Sequence, residues 1–231
     1  DPPLLVRDEV MIGTGFFPGG EEQTYRVAED GLNLIGTAEV PVTAIHADQI
    51  LDESDLPKRY VARSACFRRE AGTYGKDTKG LYRVHQFQKV EQVVIDVADE
   101  ARSRRHHEDI VRNSEEVLAE LELPYRVVAV CGGDLGVPQA FKYDIECWMP
   151  SRQNWGETHS ASRFYDYQAR RLKMRYRETT SRKVAHCHTL NNTVIASPRI
   201  LIPLLEVHQR ADGRVHVPQA LRSYLGGRET I

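Results

Sequence analysis

Cysteine is scarce and scattered: Cys66, Cys131, Cys147 and Cys187 form no CxxC pair. That argues against a zinc ribbon or disulfide framework and for buried thiols in a reducing cytosol. Excess charge of either sign is missing too. Thirty-one Lys and Arg stand against 33 Asp and Glu, a net of -2, so any nucleic-acid partner must be met by a local basic patch. No apolar run approaches the ~20 residues of a membrane span, and the N-terminus has no signal-peptide layout. No P-loop motif is present, which removes a common phosphate cradle. Without internal repeats or low-complexity linkers, the 231 residues read as one domain, 1–231. The opening Asp1-Pro2-Pro3-Leu4-Leu5-Val6 has no initiating Met and reads as a strand entry, as expected of a fragment or trimmed core.

What is present is ample core material, 41% hydrophobic residues, patterned in two periods. Gly13 to Gly20 reads as a loop and Val42 to Leu51 as a short helix. Arg59–Cys66 and Tyr82–Val97 read as long strands joined by the polar tip Ala71 to Gly80. Ala101 to Leu123 is the clearest helix, with Ile110, Val111, Val117, Leu118 and Leu121 at helical spacing and Pro124 as its stop. Tyr125–Val130, Phe141–Met149 and Val184–Thr189 read as strands. Arg163–Tyr176 and Pro198–Gln209 read as helices, the second accommodating Pro203 near its first turn. Several antiparallel strands with helices on one side make an α+β fold.

Strand period two sets Arg83, His85, Phe87, Lys89 and Glu91 on one face of a single strand, with Arg68 and Glu70 sharing a face of the strand before it. Charged residues around one aromatic ring suit the solvated face of an antiparallel sheet. They equally suit a nucleotide, which needs cations for phosphates, an aromatic plane for the base and a carboxylate for its edge.

Phe67-Arg68-Arg69-Glu70, the ten-residue tip, and Arg83-Val84-His85-Gln86-Phe87-Gln88-Lys89-Val90-Glu91 resemble motif 2 of the class II aminoacyl-tRNA synthetases, in its seryl branch. Thr37-Ala38-Glu39 resembles the seryl TAE segment. Glu157-Thr158-His159-Ser160-Ala161-Ser162 with Asp166-Tyr167-Gln168-Ala169-Arg170-Arg171, and His188-Thr189-Leu190-Asn191-Asn192-Thr193 with Ala196-Ser197-Pro198-Arg199, resemble the segments that follow, the last being motif 3. The resemblance implies an antiparallel sheet flanked by helices. It implies that Arg68 binds the α-phosphate and the substrate carboxylate, Glu70 reads the adenine amino group and Phe87 stacks on adenine. Arg83 and Arg199 would hold the γ-phosphate, Arg199 from a helix start whose dipole also favours an anion. Thr37, Glu91, Asn191 and Thr193 would meet serine, Thr37 at its α-amino group and Thr193 at its hydroxyl. Glu157 and Ser160 would ligate the Mg2+ of ATP, a hard cation that keeps several waters. Read without the resemblance, the Glu157 to Ser162 stretch is a helix N-terminus capped by Ser160 or Ser162.

The implied reaction joins L-serine to ATP as seryl-adenylate and then transfers the seryl group to tRNA(Ser), by positioning and charge stabilisation with no side-chain nucleophile. The implied location is cytoplasmic and the implied assembly a homodimer. Only the final strand of motif 1, at Asp1 to Leu5, is matched, and no N-terminal helical arm for the tRNA is seen, so dimerisation is left open and tRNA charging is expected to be impaired. The alternative is a synthetase-like ATP- and serine-binding module without activity. Val207 after Glu206, and Ala65 before Cys66, depart from the family pattern in its favour. Ala161 stands where cysteine is expected, a slot with no ligand role.

Overall fold

A computed structural model describes residues 1–71 and 80–231. In chain order its elements are β1 (Leu5–Arg7), α1 (Asp8–Thr14), β2 (Arg26–Val27), β3 (Leu32–Leu34), α2 (Glu39–Thr43), β4 (Ile50–Asp52), β5 (Lys58–Phe67) and β6 (Gln86–Asp96). There follow α3 (Glu100–Glu120), β7 (Tyr125–Ala129), β8 (Phe141–Met149), β9 (Asn154–Tyr165), α4 (Tyr167–Arg171), β10 (Arg175–Arg177), β11 (Val184–His186), β12 (His188–Ala196), α5 (Ser197–Val207) and α6 (Gln219–Arg222).

Six strands make the main sheet in the order β5-β6-β12-β9-β8-β7, each pairing antiparallel. The β5–β6 hairpin pairs one-to-one from Lys58↔Ile95 to Phe67↔Gln86, so period two holds along it without a bulge. Even-numbered Val94 and Leu190 pack on Ile110 of α3, and Ile145, Cys147 and Ala161 pack on Val111 and Leu118 with Ile200 of α5. Odd-numbered Val93 and Ile95 face the other way, onto Ala38 and Val42 around α2 and Ala169 and Leu172 around α4. Helices therefore cover both faces, where the sequence reading put them on one side. The α+β assignment stands.

The helix α3 forms because Asp99 accepts a hydrogen bond from the Arg102 amide at 2.7 Å, satisfying one of the orphan donors of its first turn. Asp99→Ala is expected to cost about 1 kcal/mol. A melting temperature unchanged within a degree would contradict that role.

Several sequence expectations are corrected. Val42 to Leu51 is no single helix, because α2 starts at Glu39 and β4 begins at Ile50. Arg163 to Tyr176 finishes β9, makes only five residues of α4 and enters β10. Gly13 belongs to α1 and not to a loop. Its bare Cα leaves room for the Leu172 side chain, whose Cδ2 would stand 2.3 Å from a Cβ there. Pro203 is the seventh residue of α5, beyond the first turn, where it removes the N–H that Arg199's carbonyl would accept. The polar tip of the hairpin lies, for residues 72–79, outside the described residues.

Candidate active site

One cleft of about 380 Å³ opens on the odd-numbered face, beyond the apolar packing of Val93 and Ile95. All eleven side chains assigned from the sequence line it: Thr37, Arg68, Glu70, Arg83, Phe87, Glu91, Glu157, Ser160, Asn191, Thr193 and Arg199. Its size is ordinary for a small-molecule site. Phe87, Lys89 and Glu91 alternate along β6 as expected, but two details of the face differ. The strand starts only at Gln86, so Arg83 reaches the cleft from the turn before it. His85 is turned away, its Nδ1 sharing contacts with the Tyr25 hydroxyl at 3.0 Å and the Arg68 carbonyl at 3.2 Å. Likewise Arg68 and Glu70 lie past the end of β5, and Glu70 sits in the left-handed region at φ 50°.

Two bulges complete the lining. Glu157 and Ser160 are three residues apart, and a regular strand would put them on opposite faces. A register shift between Ile145↔His159 and Glu146↔Glu157 inserts Thr158 as an extra residue, which returns both to the cleft. The segment is strand throughout, so the helix-cap reading of Ser160 and Ser162 is overturned. On β12, Asn191 and Thr193 share the cleft face, and the next shift follows Thr193.

The deep end is a closed polar ring. Lys89 Nζ stands 2.6 Å from Glu91 Oε2 and donates to Thr37 Oγ1 at 2.7 Å and Thr193 Oγ1 at 3.5 Å. Both hydroxyls also donate to Glu91 Oε2, at 3.4 and 3.3 Å. Lys89 and Glu91 are 6% and 2% exposed, so this pair is desolvated and must be matched atom by atom. Beside it lies the buried Glu39. Burial, and after it the charge of Glu91, push the Glu39 carboxyl up to about 7. Lys89 lies on the face that strand period two predicts, and Glu39 lies two residues from Thr37 in the TAE segment; the sequence alone assigns a role to neither.

The outer end is cationic. Arg68 donates from Nε to the Gly36 carbonyl at 3.3 Å, and its guanidinium lies 5.4 Å from the Phe87 ring centroid. Arg83 donates to Glu70 Oε2 at 2.7 Å. Arg199, in the first turn of α5, is 3.4 Å from Glu157 Oε2 and 4.6 Å over the Tyr82 ring, whose hydroxyl donates to the Glu157 carbonyl at 2.9 Å. Opposite Ser160 on β8, the Asp144 carboxyl is raised by burial and then by the charge of Glu157. The cleft is thus polarised: a tight hydroxyl–carboxylate–ammonium ring inside, three guanidiniums outside.

Residues 24–208 match the family described as the tRNA synthetase class II core domain (G, H, P, S and T). The chain belongs to that family. It is 52% identical to the serine–tRNA ligase of Deinococcus radiodurans, over 98% of this chain and 53% of that protein. Among solved structures, the seryl-tRNA synthetase of Pyrococcus horikoshii complexed with ATP superposes with a TM-score of 0.94 at 50% identity, covering 100% of this chain and 51% of that one. The cytoplasmic serine–tRNA ligase of Naegleria fowleri in complex with AMP gives 0.92 at 38% identity, over 100% and 54%. This synthetase core spans about half the length of the relatives it matches. Among the described residues no helix is long and apolar enough to cross a membrane.

Proposed function

We propose that residues 1–231 are the catalytic domain of a serine–tRNA ligase, activating L-serine with ATP and, within the whole protein, passing the seryl group to tRNA(Ser). The polarised cleft carries this reading: it offers an amino-acid pocket and a phosphate pocket side by side. The ATP complex of the Pyrococcus horikoshii relative supports the choice of nucleotide.

A serine carboxylate oxygen attacks the α-phosphorus, the bond from that phosphorus to the bridging oxygen breaks, and pyrophosphate leaves with the electron pair. No proton is transferred. The chain has only to align the reactants and stabilise charge building on phosphorus. Arg68 binds the α-phosphate and the serine carboxylate together, as a planar fork can. Phe87 takes the adenine plane and Glu70 its amino edge, and Arg83 and Arg199 take the γ-phosphate. Glu157 and Ser160 would hold Mg2+. One carboxylate and one hydroxyl, with no cluster of three His, Cys, Asp or Glu among the described residues, suit a cation whose remaining ligands are phosphate oxygens and water. The bound ion supplies charge neutralisation of the polyphosphate.

Charge counting assigns the amino-acid end. Lys89 already neutralises Glu91, so the carboxylate left for a substrate ammonium is Glu39, with Thr37 and Asn191 beside it. Glu91 and Thr193 then serve the serine hydroxyl. A pocket whose buried groups expect a hydroxyl rejects alanine by leaving them unpaired. Homodimerisation and a cytoplasmic location belong to the same reading. Three buried unpaired thiols, Cys66, Cys147 and Cys187, fit a reducing compartment.

Serine-dependent exchange of labelled pyrophosphate into ATP tests the first step. Exchange with serine, and at least ~100-fold less with alanine, is expected. No exchange with any amino acid would favour the non-catalytic binding module.

A further inference from the structure

We propose that Gln168, a residue of α4 outside the motif-2 hairpin, is a positioning residue that holds Glu39 as the carboxylate serving the substrate's ammonium group; this rests on the reading of Glu39 given above. Gln168 is 1% exposed and none of its amide is idle. Its Nε2 donates to Glu39 Oε1 at 2.8 Å and to the Thr14 carbonyl at 3.1 Å, and its Oε1 accepts from Thr189 Oγ1 at 2.7 Å.

These partners fix which way the amide points. A backbone carbonyl can only accept, so the Thr14 oxygen demands Nε2 on its side, and the Thr189 hydroxyl supplies the proton that Oε1 needs. The second Nε2 hydrogen is then committed to Glu39. The close approach of α1 to α4 brings Thr14 into range, with Gly13 leaving space that the Leu172 side chain fills. One side chain thereby ties the pocket floor to α1, α4 and β12.

Among the described residues, the charged groups acting on Glu39 are both on β6: Glu91, which disfavours its ionisation, and Lys89, which favours it. Gln168 from α4 and Asn191 from β12 add neutral donors that also favour the carboxylate. Against burial and Glu91, the Gln168 hydrogen bond is the largest of these opposing contributions. Removing it leaves Glu39 protonated to higher pH, and a protonated acid does not hold an ammonium by charge.

The experiment measures pyrophosphate exchange from pH 6 to 9 in the full chain, with KM for serine and for ATP separately, for wild type, Glu39→Gln, Gln168→Leu and Thr189→Val. Wild type is expected to lose kcat/KM for serine below about 7, the value to which Glu39 is raised. Gln168→Leu should move that limb up by roughly one pH unit, the size of one hydrogen bond to a charged group. At pH 7 this reads as a serine KM raised ~5-fold with ATP KM unchanged, and it should recover above the new limb. Thr189→Val, nearly isosteric, removes the donor that holds Oε1 and so loosens the amide without reversing it; it should shift the limb the same way by less, which keeps the test open if Gln168→Leu does not fold. Glu39→Gln should abolish the limb. A wild-type profile without the limb, or a limb that survives Glu39→Gln, overturns the Glu39 reading and this inference with it. A limb present in wild type but unmoved in the folded variants overturns the role of Gln168 alone, as does a loss that is uniform in pH or shared by ATP.

Discussion

Arg68→Ala is expected to lower the kcat of serine-dependent pyrophosphate exchange by roughly 10²–10³, the loss found when one preorganised donor to a developing oxyanion is removed. The prediction is large because Arg68 is the guanidinium assigned to both reacting groups, the α-phosphate and the serine carboxylate. Its Nε is fixed on the Gly36 carbonyl and its plane is supported by Phe87, which leaves the two terminal nitrogens for substrate oxygens. An anchored fork pays little to reorganise when charge builds on phosphorus, and that is why the effect falls on kcat more than on either KM. Arg68→Lys should recover little, since an ammonium keeps the charge but loses the fork and the stacking. By contrast, Arg83→Ala and Arg199→Ala remove cations farther from the reacting centre and should act chiefly through the KM for ATP. An Arg68→Ala enzyme within tenfold of wild type would sink this assignment.

How much of this arrangement a sequence reveals depends on the range over which each position is set. The β5–β6 hairpin was legible because period two holds where pairing is one-to-one, so Phe87, Lys89 and Glu91 fell on one face. The eleven assigned side chains came from ordered motifs, and the fold does bring them to one cleft. Periodicity fails at bulges: nothing in Glu157-Thr158-His159-Ser160 announces the extra residue that puts both assigned ligands on one side. Short helices such as α2 and α4 were missed or overextended because five residues carry too few repeats of a 3.6 period, and tertiary packing decides their ends. The sequence shows Gln168 only as part of a motif, since its partners Thr14 and Glu39 lie 154 and 129 residues away. The charge on Lys89 was visible, but its use was not. Only the 2.6 Å approach to Glu91 shows that it occupies the pocket instead of greeting a phosphate.

That approach makes Lys89 the most consequential position for stability. Lys89→Met keeps the length and apolar stem of the side chain but leaves Glu91, 2% exposed, with two hydroxyl donors at 3.3 and 3.4 Å and no counter-charge. Breaking a buried pair from one side costs about 3–5 kcal/mol, since the remaining ion keeps its desolvation penalty and loses its compensation. For a domain of this size that is a fall in melting temperature of roughly 10 °C. Removing both charges tells stability apart from function. Lys89→Met with Glu91→Leu fills similar volume without an orphan ion and is expected to regain most of the lost stability. The double variant should nevertheless remain without serine-dependent exchange, and serine should no longer raise its melting temperature, because Glu91, the carboxylate that receives the hydroxyl, is gone. A Lys89→Met protein that melts with wild type would mean that the pair contributes nothing. A double variant that melts no higher than the single would mean that Lys89 stabilises by its stem packing and not by its charge.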